Sequence, residues 1–149
     1  MILALDPGTT QSGWVRFDGR VHASGVMSNE VLLCELRQRW PMYPDLTGCA
    51  IEVFEARGMP IGKESIETML WTGRFLEAWH GAPGWEAHRV QRSAVKLHLC
   101  GSARAKDPNV RQALIDRLGA PGTKKAPGGT YGVTSHAWAA LGVAVTAAA

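Results

Sequence analysis

Asp6, Glu52 and His136 have the residue types and settings to do chemistry together in this 149-residue chain. Asp6 closes an apolar run at residues 1–6, and Glu52 interrupts another at residues 47–54. An isolated carboxylate in such a run is costly to bury, so each acid must be paired, hydrogen-bonded, metal-bound or set at an open strand end. Two carboxylates on neighbouring strands, aimed at one point, make a hard-oxygen site suited to Mg²⁺. Two such ions about 4 Å apart can activate water and stabilise the leaving oxygen of a phosphodiester. Asp6 capping its Pro-Gly turn and Glu52 pairing with an arginine would satisfy the same burial constraint without chemistry. Neutral imidazole is a competent ligand, and near pH 7 a competent acid or base, so His136 is the third candidate. Glu55 lies three residues past Glu52, which on a regular strand points it to the opposite face. It is therefore expected as an edge or loop acid.

These side chains need strands and helices to converge them. Residues 1–6 read as a buried strand and 7–10 as a turn. Residues 12–17 and 20–26 read as two strands joined by Asp18-Gly19, a pair suited to a tight type I′ hairpin. Ser28 or Asn29 caps a helix to Arg39, with Val31, Leu32, Leu36 and Trp40 inward, and Pro41 and Pro44 end it. Residues 47–54 form the next strand. A helix over 64–79 follows, with Ile66, Met69, Leu70, Gly73, Leu76 and His80 on its stripe, stopped by Gly81. Residues 85–90 read as a strand. Ser93 caps a short helix to Leu99, and Asp107-Pro108 starts a helix that ends at Gly119. Residues 120–130 are expected to be a flexible basic loop, and the last helix begins near Ser135. The order βββ-α-β-α-β-α-α predicts an α/β fold, with helices on both sides of a mixed sheet. Neither an internal repeat nor a linker interrupts it, so one domain over 1–149 is expected.

Charge is distributed unevenly. Residues 89–125 hold nine basic and two acidic groups, +7, while residues 1–88 hold seven basic and eleven acidic, −4. The last 24 residues hold none, and the whole chain is +3. A basic segment beside an acidic one suits a polyanion-binding surface next to a carboxylate site, and equally a solvated basic face on ordinary helices. An apolar share of 46% and a charged share of 19% exclude a disordered chain. No apolar run reaches membrane-spanning length, and the N-terminus lacks a signal-peptide pattern. Cys34, Cys49 and Cys100 form no CxxC pair, so they are expected as reduced core thiols in a cytoplasmic protein.

The segment Leu3-Ala4-Leu5-Asp6-Pro7-Gly8-Thr9-Thr10-Gln11-Ser12-Gly13-Trp14 resembles the opening strand and turn of RuvC-like Holliday junction resolvases. Ala50-Ile51-Glu52-Val53-Phe54 is similar to their second catalytic strand. Val95-Lys96 with Gly101-Ser102-Ala103-Arg104-Ala105-Lys106 resembles their lysine-bearing helix and basic loop, and Ser135-His136-Ala137-Trp138-Ala139-Ala140-Leu141 the start of their last helix. The four blocks occur in the family's order across nearly the whole chain, with the nearest likeness to compact members of bacteriophage type. The resemblance implies an RNase H-like fold with a mixed five-stranded sheet and three antiparallel N-terminal strands. It implies a homodimer in a bacterial or phage-infected cytoplasm that nicks branched DNA (four-way junctions, forks or flaps) in recombination and repair. It also implies Mg²⁺, with Mn²⁺ as a substitute, and leaves any partner helicase unspecified. Carried over by position, Asp6, Glu52 and His136 are catalytic and metal-binding residues. Lys96, Arg104 and Lys106, together with Lys124 and Lys125 of the basic loop, are the expected phosphate contacts.

The family carries a further carboxylate three residues after the His136 position, where this chain has Ala139. Glu55 and Asp107 are candidate substitutes. Two other readings therefore stand beside the nuclease. One is a junction-binding protein with weakened chemistry. The other is an ATP-binding protein, because Asp6-Pro7-Gly8-Thr9-Thr10 also resembles the phosphate-binding hairpin of sugar kinases and actin-like proteins, which close two such domains over a nucleotide. Trp71, Phe75 and Trp79 read either as ordinary core packing or, under the resolvase expectation, as a dimer surface, and residues 54–59 as a wedge for a junction centre.

Overall fold

A computed structural model describes residues 1–79 and 87–149. Strands β1 (Ile2–Asp6), β2 (Gln11–Phe17) and β3 (Val21–Ser28) come first, followed by helix α1 (Asn29–Gln38) and a 3-10 turn at Trp40–Met42. Strand β4 (Gly48–Val53), helix α2 (Lys63–Trp79), strand β5 (Ala87–Gln91) and helices α3 (Arg92–Cys100), α4 (Asp107–Leu118) and α5 (Ala137–Ala147) complete the order. The five strands form one mixed sheet, ordered β3-β2-β1-β4-β5. β1, β2 and β3 are antiparallel, while β4 runs parallel to both β1 and β5.

Strand alternation sorts the core into two layers. Leu3, Leu5, Cys49 and Ile51 face Leu32, Leu33 and Leu36 of α1 and Phe75 and Trp79 of α2. Ala4, Ala50 and Val90 face Val95, Val110 and Leu114 of α3 and α4, and the apolar body of α5. The second face carries the site. Asp6 continues the Ala4 side of β1 and Glu52 the Ala50 side of β4, each near the carboxyl end of its strand.

Several local expectations change. Val31 is half exposed and Leu33 takes its place in the core. The stripe expected on α2 is turned toward solvent at Ile66 and Leu70, and the buried face runs through Thr72, Phe75 and Trp79. That helix is apolar on two sides, so periodicity alone could not choose which side the sheet would cover. His80, Gly81 and the start of the strand expected over 85–90 lie outside the described residues. α3 starts at Arg92, one residue ahead of Ser93, and ends on Gly101 in the left-handed conformation at φ 69°. Lys106, rather than Asp107, caps α4, whose Asn109 side chain accepts a hydrogen bond from the Lys106 N–H at 3.2 Å.

The loop expected to be flexible is built tightly. Gly122 and Pro127 form an antiparallel bridge, and the Thr130 hydroxyl donates to the Gly119 carbonyl at 2.8 Å. Cβ atoms on Gly128 and Gly129 would strike the carbonyls of Ala120 and Leu118, so this turn depends on glycine. The three cysteines are free, but only Cys49 is fully buried and Cys34 is exposed. Among the described residues, no helix is long and apolar enough to cross a membrane.

Candidate active site

The first carboxylate is positioned by the turn that follows it. Ser12 and Asn29 are fully buried polar residues beneath residues 7–10. The Gly8 N–H donates to Ser12 Oγ at 3.2 Å, Ser12 Oγ donates to Asn29 Oδ1 at 2.6 Å, and Asn29 Nδ2 donates to the Gly8 carbonyl at 3.0 Å. This closed ring of bonds fixes the chain just after Asp6. Glu52 reaches the same end of the sheet because β4 pairs beside β1 in parallel, with Leu5 opposite Ile51.

His136 arrives from the far end of the chain. Ser135 adopts a positive φ of 47°, uncommon for a residue with a side chain, and His136 takes the capping position of α5. The helix start lies directly over Gly13, the cross-strand partner of Asp6, where a Cβ would collide with the His136 carbonyl. His136 Nδ1 lies 3.3 Å from Asp6 Oδ2. The hydrogen bond to Asp6 holds the imidazole pKa above its ordinary value, against partial burial. His136 is thus a capping residue rather than a member of the first helical turn, yet it reaches Asp6 as the sequence suggested.

Glu52 keeps only 17% side-chain exposure. Burial, reinforced by the negative charge of Asp6, pushes its carboxyl upward to about 7, against the pull of Arg92. Arg92, the first residue of α3, donates through Nη1 to Glu52 at 3.1 Å and through Nη2 to Asp107 at 2.8 Å. Lys96 stands 3.7 Å from Asp107. Asp107 loses solvation here, yet Arg92 and then Lys96 hold its carboxyl below the ordinary range. Asp6, Glu52, Arg92, Asp107, His136 and Ala139 all line one groove of about 390 Å³, with Pro7, Ser135 and Trp138.

The two candidate substitute acids separate. Asp107 faces this groove, whereas Glu55 sits past the end of β4 in an adjoining pocket of about 230 Å³ and pairs with Arg57 at 3.0 Å. Lys96 lines that adjoining pocket. Arg104, Lys106, Lys124 and Lys125 lie outside both cavities, with Arg104 and Lys106 on the segment that leads into Asp107. Arg92 and Trp138 are the groove residues that the sequence did not single out. Arg92 had a signal: it follows directly on the strand beside β4, and an arginine partner for Glu52 was the expected alternative to a metal. Trp138, with Arg111 stacked on its ring at 4.7 Å, had none beyond its place two residues after His136 in the segment that resembles the start of the family's last helix.

Among the described residues, no three His, Cys, Asp or Glu side chains already stand together as a ligand cluster. The donor types nonetheless fit a hard divalent cation: carboxylate oxygens of Asp6 and Glu52, with an imidazole across from them. The buried Glu52 carboxyl needs a positive partner, and Arg92 supplies it. Chemically, the groove combines largely buried carboxyl groups, an imidazole and the Arg92 guanidinium.

No protein-family model and no curated protein matches the sequence. Among solved structures, Thermus thermophilus RuvC matches at a TM-score of 0.70 with 20% identity, over 97% of this chain and 91% of that one. T. thermophilus RuvC in complex with a Holliday junction substrate matches at a TM-score of 0.70 with 23% identity, over 97% of this chain and 90% of that one. Over nearly its whole length the chain has the RNase H-like fold of RuvC.

Proposed function

We propose that the chain is a single-domain, metal-dependent endodeoxyribonuclease that nicks branched DNA such as four-way junctions. The observation that carries this reading is the convergence of Asp6, Glu52 and His136, from three separate elements, on one groove that Arg92 also lines. The fold shared with a protein solved on a Holliday junction supports the substrate class.

Asp6 and Glu52 would hold Mg²⁺ or Mn²⁺, with His136 completing the set. The bound cation would supply Lewis-acid stabilisation of the scissile phosphate and a more acidic water. In the alternative role, with His136 outside that set and held by Asp6, the imidazole nitrogen that does not face Asp6 would orient the attacking water and take its proton. Lys96, Arg104, Lys106, Lys124 and Lys125 hold the DNA backbone, which positions the duplex arms without reading their bases. Phe54 and Met59, 40% and 74% exposed beyond Glu52, offer apolar surface to an opened junction centre.

Paired nicks require two sites, so the active form is a homodimer, expected in the cytoplasm. Of the aromatic set, Phe75 and Trp79 are buried in the chain's own core, which is the core-packing reading, and only Trp71 is partly exposed. Ile66 and Leu70, one turn apart on the outer side of α2, are the exposed apolar pair available for a dimer surface. Sedimentation should show a dimer at micromolar concentration that dissociates in Leu70→Glu.

The test is a synthetic four-way junction incubated with Mg²⁺ or Mn²⁺ beside a linear duplex of the same sequence. Symmetric nicks in the junction and an intact duplex are expected. Tight junction binding with no cleavage in either metal would instead identify a binding protein. ATP binding detected by calorimetry would instead favour the nucleotide-binding alternative.

A further inference from the structure

Arg92 occupies a place where a cation is needed. Its guanidinium spans the groove, 3.1 Å from Glu52 on one side and 2.8 Å from Asp107 on the other. Its planar fork reaches the two carboxylates through separate nitrogens. Without it, Asp6, Glu52 and Asp107 would face one groove with only His136 and Lys96 to offset them. The two ends of the bridge differ. The Glu52 side chain is 17% exposed and belongs to the groove wall, while that of Asp107 is 69% exposed at the rim.

We propose that Arg92 is a resident counter-cation of the groove, and that it and a divalent cation exclude one another at Glu52. Nη1 holds Oε2 of Glu52, so a divalent ion on that oxygen would displace it, and one on the other oxygen would repel the guanidinium at close range. Asp107 then keeps Arg92 at the rim, where phosphates of a bound backbone would pass. The inference rests on the reading of this groove as a divalent-cation site, and gives Asp107 the role of anchor for Arg92 rather than replacement ligand for the acid missing at Ala139.

The test is Mn²⁺ binding to DNA-free protein, followed by the electron paramagnetic resonance of the free ion, in wild type, Arg92→Gln and Arg92→Lys. Loss of a full positive charge at close range should tighten Mn²⁺ binding about tenfold in Arg92→Gln. Arg92→Lys keeps the charge but cannot span both acids, so it should fall between. In EDTA, Arg92→Gln should melt below wild type, and Mn²⁺ should close that gap. Equal or weaker Mn²⁺ binding in both variants would overturn the proposal, and if Arg92→Gln does not fold, Arg92→Lys alone decides it. Nicking of a four-way junction is scored separately. Wild-type nicking without tighter Mn²⁺ binding in the variants overturns the counter-cation and leaves the nuclease. Tighter binding without nicking by any protein does the reverse, and no Mn²⁺ binding by any of them overturns both.

Discussion

His136 Nδ1 lies 3.3 Å from Asp6 Oδ2, although 130 positions separate them in the chain. The two meet because α5 begins against the backbone of β2 at Gly13, where no side chain intervenes. Gly13→Ala places a methyl group against the His136 carbonyl and must push the start of α5 off the sheet. Overpacking of this kind costs about 1–3 kcal/mol. Denaturant melts should show that loss, and nicking should fall further than stability alone explains, because the imidazole leaves Asp6. A variant with wild-type stability and wild-type nicking would show that Gly13 does not position His136.

The hydrogen-bond ring beneath the first turn gives a second prediction. Asn29→Ala leaves Ser12 Oγ and the Gly8 carbonyl without their Asn29 partner in a buried setting. An unsatisfied buried polar group costs about 1–3 kcal/mol. The urea midpoint should drop accordingly, and Asn29→Asp, which keeps the acceptor for Ser12 but sets a buried carboxylate oxygen against the Gly8 carbonyl, should drop at least as far near neutral pH. An unchanged midpoint in Asn29→Ala would mean that the ring is not what stabilises the turn.

Much of this site was legible in the sequence, because strands announce themselves by apolar runs and an acid inside such a run is conspicuous. Asp6 and Glu52 stand out that way. The hairpin at Asp18-Gly19 is legible too, but not its type. Gly19 sits at φ 102° while Asp18 is not at positive φ, three residues separate β2 from β3, and the register shifts at Arg16/Phe17. The turn is therefore not the type I′ pair expected. What pattern could not supply was side-chain pairing between distant elements. Arg92 joins β5 to α3, and only the parallel register of β4 with β5 brings it to Glu52. The buried face of α2 was misread for a related reason: Ile66 and Leu70 obey helical spacing as well as Phe75 and Trp79 do. The loop at 120–130 looked mobile by composition, yet its glycines are close-packed against backbone. Composition registers the glycines but not the carbonyls packed against them.

Ala139 stands one turn beyond His136 and lines the same groove. Ala139→Asp adds a carboxylate there, so the Mn²⁺ concentration that supports half-maximal nicking should fall about tenfold. An unchanged metal requirement would show that a carboxylate at this position does not reach the cation.

Residues that hold the DNA backbone should reveal themselves through salt. Removing one side chain that neutralises a phosphate lowers the slope of log binding constant against log salt by about 0.9. Lys106→Ala and Lys125→Ala, measured on a four-way junction in EDTA, should each show that decrease. A residue whose removal leaves the slope unchanged lies outside the DNA-binding surface.

Whether Asp6 and Glu52 form a hydrolytic centre on the RuvC fold is decided by single-turnover nicking of a four-way junction in Mg²⁺, with wild type, Asp6→Asn and Glu52→Gln side by side. Paired symmetric nicks by the wild type are expected. Each variant should lose at least about a hundredfold in rate while still binding the junction in EDTA. Nicking by either variant at the wild-type rate would contradict a hydrolytic role for these two acids.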